Sequence, residues 1–452
     1  ATLPESRFAR FRTAGSLALT ALGFAALGYG LFKDDLGTTQ LLTWMGLGAL
    51  LIFIGVALFS TRLVRPLAAA LGWPATRIGG AAGVLARDNA RRNPQRTAST
   101  AAALMIGLAL VTLVAVLAAG ITSTFRGAVD DIFTSDYAIT AQNNFSPIPT
   151  SAAEAAAKAP GVEAIASVRT GEARIFDSNE FVTAVEPGAS EVLTLEWVEG
   201  SQAVLTGLGG NGAFVDDDYA ADHDLSVGSP ITIQVPSGKK VELVVRGVFN
   251  PPTGGSPFGH VSFSSERFDR EYDSPRNLYT FLQTTGDVTE ANTAALERTL
   301  AEFPNAKAQT REAFVDNQIS GLSAILNILY VLLALSVVVS LFGIVNTLVL
   351  TVFERTRELG MLRAIGMTRR QVRRMIRHES VITALIGGVL GILLGIVLGG
   401  LLVARVEFIE FSLPTTQLVV FAIMTVVVGI LAAIFPARRA AKLDPLKALQ
   451  YE

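Results

Sequence analysis

The stretch LSAILNILYVLLALSVVVSLFGIVNTLVLTVF, residues 322–353, runs for 32 residues without a charged side chain. As a helix it would be about 48 Å long, and the hydrocarbon core of a bilayer is about 30 Å thick. Five further stretches, each long enough to cross a bilayer, are also uncharged: 13–32, 36–61, 97–125, 380–404 and 415–435. Because helices of soluble proteins are rarely uncharged all round, this pattern predicts six membrane spans rather than six buried helices of a soluble core.

The charges of the chain are segregated along its length. Only 17% of the 452 residues are charged and the mean hydropathy is +0.45, whereas soluble proteins carry about 25% charged residues. Residues 121–318 contain 28 acidic and 13 basic side chains, a net charge of −15, and the rest of the chain contains 11 acidic and 24 basic side chains, a net charge of +13. We expect the acidic block and the basic remainder on opposite sides of a membrane, and no nucleic-acid partner.

The connections between the uncharged stretches predict the orientation of the chain. Short connections rich in arginine and lysine stay in the cytoplasm, and such segments precede the first stretch and follow the second, fourth and sixth. The acidic block follows the third stretch, and the short connection 405–414 follows the fifth. We therefore expect a multi-pass protein of the cell membrane, with both ends of this chain in the cytoplasm.

The acidic block has the pattern of a folded domain. Residues 231–235 and 241–245 alternate apolar and polar side chains around the turn 236–238, which predicts a β-hairpin. Residues 151–159 and 288–303 are predicted to be helices.

The expected fold class is an α-helical membrane protein with six transmembrane helices, plus an extracytoplasmic α+β domain inserted between the third and fourth spans. The expected segments are two linker transmembrane helices (1–75), a cytoplasmic amphipathic elbow helix (76–97), a transmembrane helix (98–125), the extracytoplasmic domain (126–318), a long transmembrane and stalk helix (319–353), a cytoplasmic coupling helix (354–378), and two transmembrane helices with a cytoplasmic tail (379–452).

No enzymatic site is evident in the acidic block. His223 and His260 lie on segments without a predicted partner, so their spacing assembles neither a nucleophile–base pair nor a metal cluster. The run DDD at 216–218 lacks the spaced ligands and the glycine of an EF-hand calcium loop. We interpret it as a solvated turn before a helix that begins at Tyr219, and we expect no catalytic residue, cofactor or metal in this chain.

The loop after the fourth span is strongly basic, since residues 354–378 carry a net charge of +6. Leu359, Leu362 and Ile365 are expected on one helical face, with Met361 beside them. Two interpretations fit this pattern. One is a basic amphipathic helix that lies on anionic lipid, and the other is a docking helix that enters a groove on a cytoplasmic partner.

Several segments resemble motifs of FtsX-like permeases. They are ERTRELGMLRAIGMTRRQV at 354–372, which is similar to the family's hallmark loop, FPARRAAKLDPLKALQYE at 435–452, similar to its closing motif, and ARDNARRNPQRTAST at 86–100, similar to its elbow. AFVDDDYAADHDLSVGSPITIQV at 213–235 and VVRGVFN at 244–250 resemble the family's periplasmic core domain. By this resemblance, which extends over residues 82–452, the chain is identified as a member of the FtsX/MacB-like ABC transporter permease family.

The resemblance implies a partner ATPase and an interface for it. Permeases of this family pair with a separate cytoplasmic ABC ATPase subunit, expected here as a dimer, which binds the ATP. The chain has no GxxxxGK[ST] loop, so we expect no ATP hydrolysis by the permease alone. The loop after the fourth span would supply the coupling helix. The expected ATPase-coupling residues are Glu354, Arg355, Arg357, Glu358, Leu359, Gly360, Met361, Leu362, Arg363, Ala364, Ile365 and Gly366.

The spans favour force transmission over carriage of a polar solute. None of the six stretches contains an Asp, Glu, Lys, Arg or His, and ion-coupled carriers usually need one within the membrane. We expect ATP use inside to move the domain outside, for export or extraction of a lipid, lipoprotein or amphiphile, or for activation of an external partner protein. The alternative is a membrane-anchored sensor or scaffold that signals without moving a substrate. The fifth stretch carries a four-residue glycine repeat typical of close helix packing, formed by Gly387, Gly391, Gly395 and Gly399.

Two spans precede the four-span unit of a simple family member. Long relatives resemble a duplication, in which two four-span units are joined by two linker spans. Stretches 13–32 and 36–61 fit the linker pair. We therefore expect the chain to be the second half of a ten-span permease of about twice this length, with the other permease half in the same chain or in a second copy.

Overall fold

The uncharged stretches form long helices in the structure, a computed structural model that describes residues 7–33, 37–253, 256, 258–318, 320–406 and 409–443. The chain divides into two compact units. The helical unit contains residues 1–120, 325–407 and 411–452, and the sheet unit contains residues 121–324 and 408–410.

The described helices are α1 (Arg7–Phe32), α2 (Thr38–Leu71), α3 (Trp73–Gly79), α4 (Ala81–Arg92), α5 (Pro94–Ile132), α6 (Thr150–Ala156), α7 (Ala189–Val192), α8 (Ala203–Gly207), α9 (Asp217–Asp222), α10 (Ser265–Glu271), α11 (Glu290–Leu300), α12 (Arg311–Gln318), α13 (Ser320–Glu354), α14 (Thr356–Ala364), α15 (Arg369–Val403) and α16 (Thr415–Ala441). The described strands are β1 (Tyr137–Ala141), β2 (Ile148–Pro149), β3 (Val162–Ile175), β4 (Ser178–Val185), β5 (Glu196–Glu199), β6 (Gly212–Asp216), β7 (Pro230–Gln234), β8 (Lys240–Asn250), β9 (Val261–Ser264), β10 (Arg276–Thr284) and β11 (Ala306–Thr310).

Six of these helices are long and apolar enough to cross a membrane, judged by length and composition: α1, α2, α5, α13, α15 and α16. They coincide with the six uncharged stretches. Several extend past the apolar segment, since α2 continues beyond Thr61 to Leu71 and α16 continues beyond Phe435 to Ala441. Arginine is a good helix former and its long side chain can lie along an apolar surface while its charge reaches water, so the helix need not end where the charges begin.

Two helices predicted as continuous are divided in the structure. The elbow over residues 76–97 is shared by the end of α3, by α4 and by the start of α5. Gly80, with φ of +55°, separates α3 from α4, and Asn93 leaves the helical conformation before Pro94, because proline disfavours a helical residue in front of it. The coupling helix over residues 354–378 is also divided, since α14 ends at Ala364 and α15 begins at Arg369.

Close contacts between α5 and α15 organise the helical unit. Four glycines of α15 lie against α5, namely Gly387, Gly391, Gly395 and Gly399. A Cβ atom on Gly391 would lie 2.6 Å from the carbonyl oxygen of Met105, and one on Gly395 would lie 2.5 Å from the carbonyl oxygen of Ala109. Any side chain at these positions would push the helices apart, so the two backbones approach to a distance that only glycine permits.

The sheet unit is built on one sheet of 11 strands, in the order β11-β1-β10-β3-β4-β9-β6-β8-β5. In addition, β2 pairs with β10, and β7 pairs with β3 and β8. The pairs β4–β9 and β6–β8 are parallel. Phe214 belongs to one buried cluster, while its neighbours Ala213 and Val215 belong to another, so β6 is covered on both faces.

The predicted hairpin is confirmed, since β7 and β8 pair antiparallel with Ile231 opposite Leu243. The two predicted helices are present but shorter. α6 ends at Ala156, before the turn at Pro160. α11 begins after Thr289, whose hydroxyl accepts a hydrogen bond from the backbone N–H of Asn292 and so caps the helix.

The histidines of the sheet unit have partners, contrary to the expectation from sequence. The rings of His223 and His260 pack on Tyr219, with centroids 4.3 and 5.0 Å from its ring. Asp216 is not solvated: it is 8% exposed, it accepts a hydrogen bond of 2.6 Å from the backbone N–H of Tyr219, and it accepts another of 2.7 Å from Nδ1 of His260. Burial, aided by Glu180 and Asp216, raises the pKa of Tyr219 to about 12. The cluster forms only in the fold, because β9 brings His260 to the start of α9.

Candidate coupling interface

The ends of α14 are defined by local backbone geometry. Arg355 departs from helical geometry with φ of −103° and ψ of 19°, which separates α13 from α14. At the other end, the N–H of Gly366 donates to the carbonyl of Arg363 at 3.2 Å. The N–H of Met367 donates to the carbonyl of Leu362 at 3.0 Å. This is a Schellman motif, and Gly366 provides the positive φ, +111°, that it needs.

Arg355 is the centre of a polar cluster that connects α14 to α4 and α15. Its guanidinium donates to both carboxylate oxygens of Glu358, at 2.7 and 3.0 Å, and to Oδ1 of Asn89 at 2.9 Å. It also lies 3.7 Å from a carboxylate oxygen of Glu379, which accepts a 3.4 Å hydrogen bond from Asn89. The side chains of Arg355 and Glu379 are only 16% and 15% exposed. Loss of either partner would leave a poorly solvated charge, so the cluster fixes the position of α14.

The hydrogen bond between Arg355 and Glu358 also shifts the pKa of each group. It raises the pKa of Arg355 and lowers the pKa of Glu358. A hydrogen bond that favours the charged form of a carboxyl group has this effect. Both groups are therefore charged at neutral pH, and the bidentate pair stays intact.

Apolar and backbone contacts hold α14 from two further sides. Leu359 is 3% exposed and belongs to a core cluster with Val372 and Met375 of α15. A guanidinium nitrogen of Arg363 donates to the carbonyl of Leu443, just beyond α16. α14 is thus attached to α4, α15 and the segment after α16 at once.

The opposite side of α14 is exposed. Four exposed residues are spaced so that they fall on one side of a helix. They are Arg357, Met361, Ala364 and Ile365. Ile365 is 82% exposed and Met361 is 49% exposed. The helix and its C-terminal cap residue, Ile365, therefore present an apolar pair beside an arginine. We call this surface the outer face of α14.

The prediction that Leu359, Leu362 and Ile365 share one face is wrong. Leu359 is buried, Leu362 is half-buried and Ile365 is the most exposed of the three. On an α-helix, the directions of two side chains three residues apart differ by about 60°. The side chains of the first and last residues of this series therefore point about 120° apart.

The predicted coupling residues divide by environment. Those that anchor α14 or join it to its neighbours are Glu354, Arg355, Glu358, Leu359, Gly360 and Arg363. Those that are exposed are Arg357, Met361, Ala364, Ile365 and Gly366. Leu362 is half-buried between the two sets.

Three anchoring residues were missed by the sequence analysis. Asn89 and Glu379 complete the Arg355 cluster, and Arg96 forms an ion pair with Glu354. One indication was available, because Glu379 directly precedes the uncharged stretch that begins at Ser380. A carboxylate at the edge of a span requires a cationic or polar partner.

Two family models match the chain. The FtsX-like permease C-terminal model matches residues 330–445, which include α14 and its anchors on α15. The MacB-like periplasmic core domain model matches residues 97–299, which include most of the sheet unit. The chain belongs to the FtsX/MacB-like ABC transporter permease family.

Relatives of this permease are similar over a limited stretch. The pyoverdine export ATP-binding/permease protein PvdT of Pseudomonas entomophila is 34% identical over 119 residues, which are 26% of this chain and 18% of that protein. The macrolide export ATP-binding/permease protein MacB of Hahella chejuensis is 35% identical over 118 residues, 26% of this chain and 18% of that protein. The ABC transporter permease YknZ of Bacillus subtilis is 31% identical over 119 residues, 26% of this chain and 30% of that protein. The match thus spans less than a third of each of these relatives.

Family membership places the six long apolar helices in a membrane. This FtsX/MacB-like permease is a multi-pass protein of the cell membrane. Most of its sheet unit matches the MacB-like periplasmic core domain.

Proposed function

We propose that this permease works with a separate cytoplasmic ABC ATPase, that the outer face of α14 docks on that ATPase, and that ATP-driven movement of α14 is transmitted to the sheet unit. The observation that carries the proposal is the contrast between the two sides of α14. One side is fixed by the Arg355 cluster and by Leu359, and the other leaves Ile365 82% exposed. Exposed apolar side chains beside an arginine are typical of the centre of a protein interface.

The same contrast argues against a helix that lies on lipid. Such a helix turns its apolar face towards the bilayer. The most buried apolar side chain of α14, Leu359, instead packs within the protein against Val372 and Met375. Since α14 is nine residues long, little apolar surface remains for the membrane.

Two long helices support transmission along the chain. α13 ends at Glu354, one residue before Arg355, so a displacement of α14 acts directly on the end of α13. α5 has 39 residues and would be about 58 Å long if straight, nearly twice the bilayer core of about 30 Å. Both helices contribute residues to the helical unit and to the sheet unit, and helices can move as rigid elements.

In this proposal both ends of the chain lie in the cytoplasm and the ATPase binds the nucleotide. The work done outside would be export or extraction of a lipid, lipoprotein or amphiphile, or activation of an external partner. Spans without Asp, Glu, Lys, Arg or His suit such cargo better than a charged solute, because pathways for ions and charged substrates through the bilayer usually contain such residues.

A crosslinking experiment tests the docking surface. A photo-reactive amino acid is placed at Ile365 or, as the matched control, at Ile78 of α3, which is 78% exposed. In the cells where the permease is native, position 365 should capture an ATPase with a GxxxxGK[ST] loop, and position 78 should not. Equal capture from both positions would contradict the proposal.

The complex then allows a functional test. Ile365→Glu should remove both copurification of the captured ATPase and its stimulation by the permease, whereas Ile78→Glu should keep both. Charge reversal is best made at Arg357, because Arg363 also holds the carbonyl of Leu443. If the rate of ATP hydrolysis changes when a candidate lipid or amphiphile is added, the protein is a transporter. If no candidate cargo changes that rate, but ATP hydrolysis is required for the activity of an external partner, the sensor or scaffold is favoured.

A further inference from the structure

A basic pocket lies between the N-terminal turns of α15 and the C-terminal end of α16, and none of the residues that line it belongs to α14. Its volume is about 410 Å³. Among the residues that the structure describes, five line the pocket, and four of these are cationic: Arg369, Arg373, Arg438 and Lys442. None of these described lining residues is acidic.

The four cations of the pocket are not paired with any residue that the structure describes. Within the part of the chain that the structure describes, none of them forms an ion pair or a hydrogen bond through its side chain. Neighbouring arginines differ in this respect, because Arg355 is paired with Glu358 and Arg439 lies over the ring of Phe353. Like charges that converge on a cavity repel one another, and an anion in the cavity would relieve that repulsion.

Helix stability does not explain the cations of α15. The N-terminal end of a helix carries a partial positive charge, so acidic residues are favoured there and basic ones are not. α15 has no acidic residue in its first turn, and it starts with Arg369. The cap is supplied by Thr368, whose hydroxyl accepts a hydrogen bond from the N–H of Gln371. The interaction with the helix dipole therefore does not account for the arginines at this end of α15.

The Arg438 end of the pocket lies at the depth expected for lipid headgroups. Arg438 is three residues beyond the uncharged stretch that ends at Phe435, and Arg373 is seven residues before the one that begins at Ser380. At about 1.5 Å per residue these are roughly 4 Å and 10 Å from the apolar edge. The headgroup layer extends about 5–8 Å from the hydrocarbon core, so the pocket begins within it.

The geometry points to a phosphate-binding site, in which these four side chains hold a phosphate group, and the position at the membrane edge assigns it to the headgroup of an anionic phospholipid. Pockets for small molecules have volumes of roughly 300–1,000 Å³, so a cavity of about 410 Å³ accommodates a headgroup. A single carboxylate from a docked protein would leave most of it unfilled. Basic pockets between membrane helices are suited to such headgroups.

The test uses the purified full chain in an uncharged detergent and follows its thermal unfolding. The probes are short-chain phosphatidylglycerol, phosphatidylcholine with the same acyl chains, and glycerol 3-phosphate. Phosphatidylglycerol should raise the Tm in a saturable and salt-sensitive way, and phosphatidylcholine, whose phosphate charge is balanced by choline, should not. If glycerol 3-phosphate stabilises the protein as well as phosphatidylglycerol does, the phosphate site stands and the lipid assignment is overturned.

The chain offers a matched pair of variants. R369Q/R373Q removes two cations from the pocket, and R370Q/R374Q removes two exposed cations with the same spacing on the same helix, outside the pocket. The first should weaken phosphatidylglycerol binding about 25-fold, since each cation beside an anionic headgroup contributes roughly a fivefold change. The second should leave binding within about twofold of the unmodified chain, because screening in the aqueous layer weakens distant charges.

Equal losses of phosphatidylglycerol binding in the two variants would overturn the proposal, because they would show a diffuse charge effect. Unchanged binding in R369Q/R373Q would also overturn it. If that variant fails to fold, R438Q/K442Q tests the same pocket from α16. Loss of ATPase association in R369Q/R373Q, with lipid binding intact, would assign the surface to the ATPase instead. The pocket is independent of the docking on α14, so Ile365→Glu should retain phosphatidylglycerol binding even if it loses the ATPase.

Discussion

Replacement of Gly391 by alanine tests how the helical unit is packed. A Cβ atom at this position would lie 2.6 Å from the carbonyl oxygen of Met105 and 3.0 Å from Cβ of Leu108, whereas ordinary contacts begin at 3.4 Å. α5 and α15 would have to separate by about 0.8 Å to accept it, and overpacking of this kind costs about 1–3 kcal/mol. Gly343→Ala on α13 is the control, because a Cβ atom there meets nothing within 4 Å.

Both substitutions gain the helix preference of alanine over glycine, about 1 kcal/mol, so their difference isolates the clash. At roughly 2–4 °C per kcal/mol for a unit of this size, the Tm of Gly391→Ala should lie about 2–12 °C below that of Gly343→Ala. Thermal unfolding of both variants in the same detergent measures the difference. An equal or higher Tm for Gly391→Ala would refute the close approach of α5 and α15.

Two further outcomes are expected. The pKa of Glu358 is lower in the fold than the ordinary value of 4.5, so this residue contributes stability that is present above pH 4.5 and is lost as the pH falls through the folded pKa. The Tm of the unmodified chain should therefore fall in acid, and this component of the fall should be missing in Glu358→Gln. A Tm profile in acid that the substitution leaves unaltered would exclude the contribution. In the sheet unit, Arg169 is 8% exposed and lies 3.0 Å from Glu186 and 2.8 Å from Asp269, whose side chains are 29% and 39% exposed. Because water reaches the two carboxylates in part, Arg169→Gln should destabilise the unit by about 1–3 kcal/mol. Arg174→Gln, at a surface pair, should change stability by less than about 1 kcal/mol; limited proteolysis of the two variants gives the comparison, and equal resistance would contradict it.

The coupling segment shows where prediction from sequence succeeds and where it fails. Its composition and its resemblance to a family loop single out this segment, and its role in coupling stays a prediction. A continuous helix over residues 354–378 was nevertheless expected, and the structure breaks it at Gly366. Helical periodicity describes the inside of a helix, but its ends depend on single backbone conformations such as a positive φ, and a glycine alone does not say whether it will adopt one.

The sequence by itself determined the number of long apolar helices and the family of this permease, because each depends on local composition or on a contiguous motif. The hairpin of β7 and β8 was also readable, since its strands are adjacent in the chain. Only the tertiary structure decided which side of α14 is free, because Asn89 and Glu379 meet Arg355 across intervals of 266 and 24 residues. The pocket at Arg369 and Arg438 has the same origin. The sequence alone does not distinguish one charged residue of a loop from another. Whether its side chain forms an ion pair or lines a cavity depends on how separate helices pack against each other.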